Sequence, residues 1–271
     1  MLRCITYYFN PNNSDKVRQD FIEFKNNLNA PLTVVEVAFA DQYFWIDDSI
    51  RISADESNML WQPQRLINIG IESLKSSVDQ IAWLDPNIIF EDLSWYKKAT
   101  VALDEYPICQ LFSHVNDQLG YLAKIKQADE KYSLKNNPVI SNIGRYDLAW
   151  AVRRDVLPKG LYDFSIVGNN ELHQIVTWQG AWNNSFCRDF HQDISLPLLT
   201  KAIDDFMVVQ NKLNYLNDIK ITTTSSQRPI YTHILNKHLF DISEDIELGS
   251  NGLWQWSSDK TELHNEIKDI L

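Results

Sequence analysis

Ile81-Ala82-Trp83-Leu84-Asp85-Pro86-Asn87-Ile88-Ile89-Phe90-Glu91 is the stretch on which the reading of the chain turns. An apolar run ends in an acid, Pro86 and Asn87 follow, and a second apolar run begins at Ile88. A short apolar run bounded by turn residues fits a strand buried on both faces of an α/β sheet. Such sheets place their ligands outside the carboxyl ends of the strands. Asp85 and Asn87 would there present a carboxylate and an amide oxygen, hard donors suited to a divalent cation. The competing reading is an ordinary turn, because Asp, Pro and Asn all favour turns.

Outward from that point, the first 113 residues alternate strand and helix. Leu2 to Tyr8 reads as a strand and Asp15 to Leu28 as a helix with Phe21, Phe24 and Leu28 on one face. Leu32 to Ala38 is β-branched and strand-like. Asp41 to Asn58 reads as a polar and aromatic insertion. Leu60 to Leu74 has the spacing of a second helix, with Leu60, Ile67, Ile71 and Leu74 on its apolar face. After the Ile81–Leu84 strand, Ser94 is placed to cap a helix reaching Leu103, and Ile108 to Phe112 forms another strand. This alternation indicates parallel βαβ units.

The second half is less regular. Asp117 to Asn142 is lysine-rich and weakly periodic, and reads as a mobile loop or insertion. Leu148 to Val152 is strand-like, His191 to Gln210 an amphipathic helix interrupted near Pro197. Beyond Arg228 a further helix precedes the turn Gly249-Ser250-Asn251-Gly252 and the pair Trp254 and Trp256. With no repeat and no dividing linker, 1–271 reads as a single domain: a nucleotide-binding half at 1–113, an acceptor-side half at 114–218, and a helical C-terminal extension at 219–271.

Bulk properties narrow the function classes. A net charge of −11 over 271 residues disfavours unaided binding to nucleic acid or to an anionic membrane. No apolar run approaches the ~20 residues of a membrane span. The opening residues read as a strand rather than a signal peptide, which makes a cytoplasmic protein the expectation. Cys4, Cys109 and Cys187 lack a C-x-x-C pair and read as free thiols, two of them in buried strands. Nine Trp, eleven Tyr and twelve Phe suit sugar or base stacking and ordinary cores alike. No Walker loop, dinucleotide fingerprint or nucleophile elbow is present in the sequence.

Five segments in order resemble the GT-A glycosyltransferase-like proteins, in particular a bacterial and viral group related to family 2 enzymes. They are Thr6 to Pro11, Leu60 to Gly70, Trp83 to Glu91, Leu148 to Arg154 with Gly160 to Asp163 and Ile166 to Gly168, and Gly252 to Lys260. The resemblance implies a GT-A-like sandwich, with a mixed, largely parallel central sheet and helices on both faces. It implies transfer of a sugar from a nucleoside diphosphate sugar to a glycan or other hydroxyl acceptor, with inversion. By position it assigns Tyr8, Phe9, Asn10, Arg65, Asp85, Asn87, Trp150 and Gly168 to the nucleotide sugar, and Asp85 and Asn87 to Mn²⁺ or Mg²⁺. Glu171 takes the place of the base.

The chain departs from the family pattern in three places. Asn87 replaces the second acid of the D-x-D motif, Asn170-Glu171 replaces a glycine-rich run ending in aspartate, and Thr222-Thr223-Thr224 stands where a histidine ligand belongs. Two further readings follow: a metal-independent transferase in which Lys220 or Lys260 supplies positive charge, and a non-catalytic module binding nucleotide, glycan or a protein partner. His173, two residues from Glu171, is a weak ligand candidate because that offset shares no helix face.

Overall fold

The computed structural model describes residues 1–112, 114–117, 126–127, 148–157, 160–161, 163, 213–216, 219–224 and 246–257. In chain order the elements are β1 (Leu2–Phe9), α1 (Asp15–Leu28), β2 (Leu32–Phe39), β3 (Ile50–Ala54), α2 (Pro63–Ser73), β4 (Gln80–Leu84), β5 (Ile88–Phe90) and α3 (Trp95–Glu105). They continue with β6 (Ile108–Gln110), β7 (His114–Asp117), β8 (Lys126–Gln127), β9 (Ala149–Arg153), β10 (Leu213–Tyr215), β11 (Lys220–Thr223), β12 (Ile246–Leu248) and β13 (Trp254–Trp256).

Strand β1 organises the packing because both of its faces are buried. Ile5, Tyr7 and Phe9 join Val35, Val37 and Phe39 of β2 beneath Leu66, Ile67 and Ile71 of α2. Leu2 and Cys4 point the other way, into a core shared with Phe24 and Leu28 of α1 and Trp95, Ala99 and Leu103 of α3. Tyr8 packs on that same side against Phe21, Val34 and Ile46. The period of two along the strand thus places helices on both faces of one sheet. That sheet has seven strands in the order β10-β6-β9-β4-β1-β2-β3. Strand β9 runs antiparallel to β4 and β6, and the other pairings are parallel. The mixed, largely parallel sheet expected from the sequence is present. A second sheet, β5-β11-β7-β8, stands beside it, and β12 with β13 forms a hairpin.

Several boundaries differ from the expectation. The 41–58 stretch contains β3, an edge strand parallel to β2. Its signal is faint because Ile52 is its sole buried residue while Arg51 and Ser53 face solvent. The loop before it is folded back by Glu36, a buried carboxylate accepting from the Trp45 and Ile46 amides (2.7 and 3.2 Å) and the Ser49 hydroxyl (2.6 Å). Helix α2 begins at Pro63, whose fixed φ and missing N–H suit the first helical position. Ser94 precedes α3 but makes no side-chain cap, since its backbone is already helical. Asp92 takes that role, accepting from the Ser94 amide at 2.8 Å. Hydrogen bonds from Lys98 and from Ser94 hold the Asp92 carboxyl at about 2.

Lys126 and Gln127 form a short strand inside the expected loop, and the hairpin β12–β13 occupies the described part of the tail. The helices expected at 191–210 and beyond Arg228 lie outside the described residues, as do Cys187 and His173. Among the described residues, no helix is long and apolar enough to cross a membrane.

Two tests follow from the packing. A Cβ at Gly70 of α2 would lie 2.5 Å from Ile5 Cγ2, so Gly70→Ala should destabilise the protein by about 1–3 kcal/mol in urea denaturation. Burial pushes the thiols of Cys4 and Cys109 up to about 12. Both therefore stay protonated in the fold at pH 8, and peptide mapping should find neither alkylated until denaturant is added. Because the folded values lie above the unfolded ones, these thiols should lower stability as pH rises beyond about 9.

Candidate functional site

The carboxyl edge of the central sheet is stepped. The last β1–β4 partners are Ile5 and Trp83, which sets Asp85 level with Tyr7. Strand β1 runs on to Phe9, so Asn10 lies three residues further, roughly 10 Å at about 3.3 Å per residue. The Asp85-Pro86-Asn87 turn therefore occupies a notch walled on one side by the end of β1.

Five hydrogen bonds fix this turn. Thr6 Oγ1 donates to the Leu84 carbonyl (2.8 Å) as β4 ends. The Asp85 amide donates to the Leu148 carbonyl (2.7 Å), and Asp85 Oδ1 accepts from the Asn87 amide (3.3 Å). The Asn87 carbonyl accepts from both the amide (2.8 Å) and the hydroxyl (3.2 Å) of Thr224. Asp85 is half-buried and Asn87 buried. Leu148 sits at φ +84°, a conformation costly for a branched residue, and this strain lies directly against Asp85. Nothing in the sequence signals it.

Antiparallel pairing of β11 with β5 brings Thr224 to Asn87, while Lys220, at the other end of β11, is level with Glu91. The Thr224 hydroxyl thus meets the turn where the resemblance places a histidine. Lys220 stands too far along the strand to serve it, and Lys260 lies outside the described residues.

Of the other expected site residues, Tyr8 and Phe9 have buried rings. Tyr8 packs edge-on to Phe21 and Trp45, and Phe9 edge-on to Phe39 and Trp61. Asn10 closes the turn after β1, accepting from the Ser14 amide (2.8 Å) and donating to the Tyr8 hydroxyl (2.9 Å). Gln42 ties this loop to the end of β2 through the Asn10 and Pro11 carbonyls (2.9 and 3.1 Å). Trp150 is core, directly across from Trp83 on β4. Gly168 and Glu171 lie outside the described residues.

Arg65 belongs to a polar stripe at three-residue spacing, Gln62, Arg65 and Asn68, which grips two remote segments. Gln62 pairs with both the amide and the carbonyl of Trp254 (2.8 and 3.1 Å). Arg65 Nε donates to the Gly252 carbonyl (2.6 Å), and Nη1 lies 3.5 Å from the buried Asp163 carboxylate. Asn68 pairs with the amide and carbonyl of Leu161 (2.6 and 2.8 Å) and donates to Asp163 (3.0 Å). The stripe was visible in the sequence as polar residues recurring along an otherwise apolar helix, although Arg65 alone was assigned a role there.

Among the described residues, Asp85, Asn87 and Thr224 offer oxygen atoms as possible ligands at the notch. Among the described residues, no three His, Cys, Asp or Glu side chains gather to hold a metal. One carboxylate beside an amide fits an ion of the Mg²⁺ type, which keeps waters and takes phosphate oxygens as further ligands.

Solved glycosyltransferases overlap part of the chain. A variant of the Drosophila β1,4-galactosyltransferase 7, in complex with manganese, UDP-Gal and xylobiose, has a TM-score of 0.38 and 12% identity over 66% of this chain and 61% of that one. Glucosyl-3-phosphoglycerate synthase from Mycobacterium tuberculosis, with Mn²⁺, UDP and phosphoglyceric acid, gives 0.38 and 9% over 79% and 67%. The same synthase with UDP-glucose gives 0.39 and 10% over 86% and 74%. The chain thus spans less than two thirds of the length of the first of these proteins. No protein-family model and no curated protein sequence matches the chain.

Removing the Asn68 amide strands the buried backbone groups of Leu161. Asn68→Ala should cost about 1–3 kcal/mol in chemical denaturation. Asn68→Asp should cost more, since it sets a second carboxylate against Asp163; equal stability of the two variants would contradict the pairing described.

Proposed function

We propose that this chain is a glycosyltransferase of the GT-A type, taking its sugar from a nucleoside diphosphate sugar and passing it to an acceptor hydroxyl with inversion. The observation that carries the reading is the braced Asp85-Pro86-Asn87 turn in a notch at the carboxyl edge of β4, where α/β sheets hold ligands. The donor diphosphate lies in that notch. The base and ribose extend past the end of β1 over the Asn10 turn, which the Tyr8 hydroxyl and the Ser14 amide hold in place, while the buried Tyr8 and Phe9 rings anchor the strand on opposite faces of the sheet. Arg65 acts there by fixing its surroundings, because its guanidinium is engaged with Gly252 and Asp163.

Asp85 and Asn87 would hold a Mg²⁺ or Mn²⁺ ion, which supplies positive charge to the departing diphosphate. Glu171 receives the acceptor proton as the hydroxyl oxygen bonds to the anomeric carbon, and the bond from that carbon to the diphosphate breaks with its electron pair. A second reading, a binding module without catalysis, draws on Asn87 itself, which is buried and brings no charge to the notch.

The test is a panel of nucleoside diphosphates, with and without Mn²⁺, read by thermal unfolding. At about 100 times its dissociation constant a true ligand should add about 2.7 kcal/mol. Asp85→Ala should lose the part of that gain that Mn²⁺ adds, whereas Glu171→Gln should keep all of it and lose sugar transfer. No stabilisation by any nucleotide would sink the reading; stabilisation without turnover of any nucleotide sugar would favour the module.

A further inference from the structure

Lys16 is placed against its local interest. It lies in the first turn of α1, where the helix dipole disfavours a cation. Its partner Asp20, one turn on, is almost fully buried. One Asp20 oxygen meets the Lys16 ammonium, and the other is buried without any hydrogen-bond donor. Burying a carboxylate in this half-satisfied state is costly. The arrangement nevertheless fixes the ammonium at the rim, since the Lys16 side chain remains 62% exposed above the sunken carboxylate.

From there Lys16 Nζ reaches across to the Thr224 carbonyl at 3.1 Å. Thr224 is the residue whose amide and hydroxyl both grip the Asn87 carbonyl. Lys16 is thus one residue removed from the Asp85–Asn87 turn, although 208 positions separate it from Thr224. The neighbouring cation of α1, Arg18, is directed elsewhere: its guanidinium lies over Trp45 and donates to Asn13.

Resting on the nucleotide-sugar reading above, we infer that Lys16 is the fixed cation of this site, binding the donor diphosphate directly, so that nucleotide binding persists without a divalent ion. Asp85 with a neutral Asn87 brings one negative charge to the notch, and a lysine ammonium is an effective partner for phosphate oxygens. Asp20 is a positioning residue that holds the ammonium through its paired oxygen. A ligand phosphate arriving at the rim gives the ammonium a second anionic partner, with no proton or electron transferred.

The experiment is calorimetric titration of the full chain with UDP, ADP, GDP and CDP, in EDTA and again in Mn²⁺. The wild type should bind one of them in EDTA within a few-fold of its affinity in Mn²⁺. Lys16→Gln should weaken binding in EDTA by about 10- to 100-fold. Lys16→Arg should restore most of it, and Lys25→Gln, at the far end of the same helix, should change nothing. Asp20→Asn keeps the ammonium and should retain measurable binding in EDTA, which separates loss of charge from loss of fold. Wild-type binding only in Mn²⁺ would overturn the inference and leave the proposed function standing. Unchanged affinity of Lys16→Gln in EDTA would overturn the assignment of Lys16 alone. Binding in neither condition would remove both.

Discussion

Burial of β1 on both faces is the constraint from which the described structure follows. Leu2 and Cys4 need α1 and α3 on one side, while Ile5, Tyr7 and Phe9 need α2 on the other. A strand in that position must have paired neighbours at both edges, and β2 and β4 supply them in parallel register. Parallel pairing in turn brings the loops after β1, β2 and β4 to one edge, the edge where α/β sheets place ligands, as a consequence of how the core is filled. Gly70 expresses the same constraint from the helix side, since α2 approaches Ile5 closely enough to leave no room for a Cβ.

At that edge the polar groups act mainly as braces. Thr6, Leu148 and Thr224 hold the Asp85–Asn87 turn from three parts of the chain. The stripe on α2 uses side-chain amides as strand mimics: Gln62 pairs with Trp254 and Asn68 with Leu161, each through both backbone groups. These contacts lock Leu161 and the hairpin to the helix without extending a sheet. Gly160 belongs to the same device, because its φ of +80° and the 2.5 Å approach of Asn68 Oδ1 exclude a side chain. A buried hydrogen-bond network of this kind specifies geometry as well as stability, since each unmade bond is costly.

Charge at the site is distributed in an uneven way. Glu36 is fully buried but surrounded by donors, and it shapes a loop. Asp20 is also buried but only half satisfied, and its partner Lys16 bonds to Thr224, the residue that braces the Asp85–Asn87 turn. The first arrangement is structural; the second leaves an ammonium held at the rim of the notch.

Periodicity alone marked β1, α1, β2 and β4, because continuous apolar runs and a 3.6-residue stripe each admit few alternatives. Helix α1 was legible to its end residues, and the Asp85–Asn87 turn was legible because an acid and an amide interrupt two apolar runs. Strand β3 was not, since an edge strand buries one face only and Ile52 alone carries the pattern. The partners that hold Arg65, Gly252 and Asp163, are distant in sequence and leave no local signal. The same holds for Lys16 and Thr224, which meet only because β11 pairs antiparallel to β5 beside α1. The sequence by itself determined which segments form strands and helices and where the sheet could hold a ligand, since those follow from short-range pattern. Tertiary structure alone decided which side chains surround that place, because long-range pairing, not local propensity, sets who meets whom.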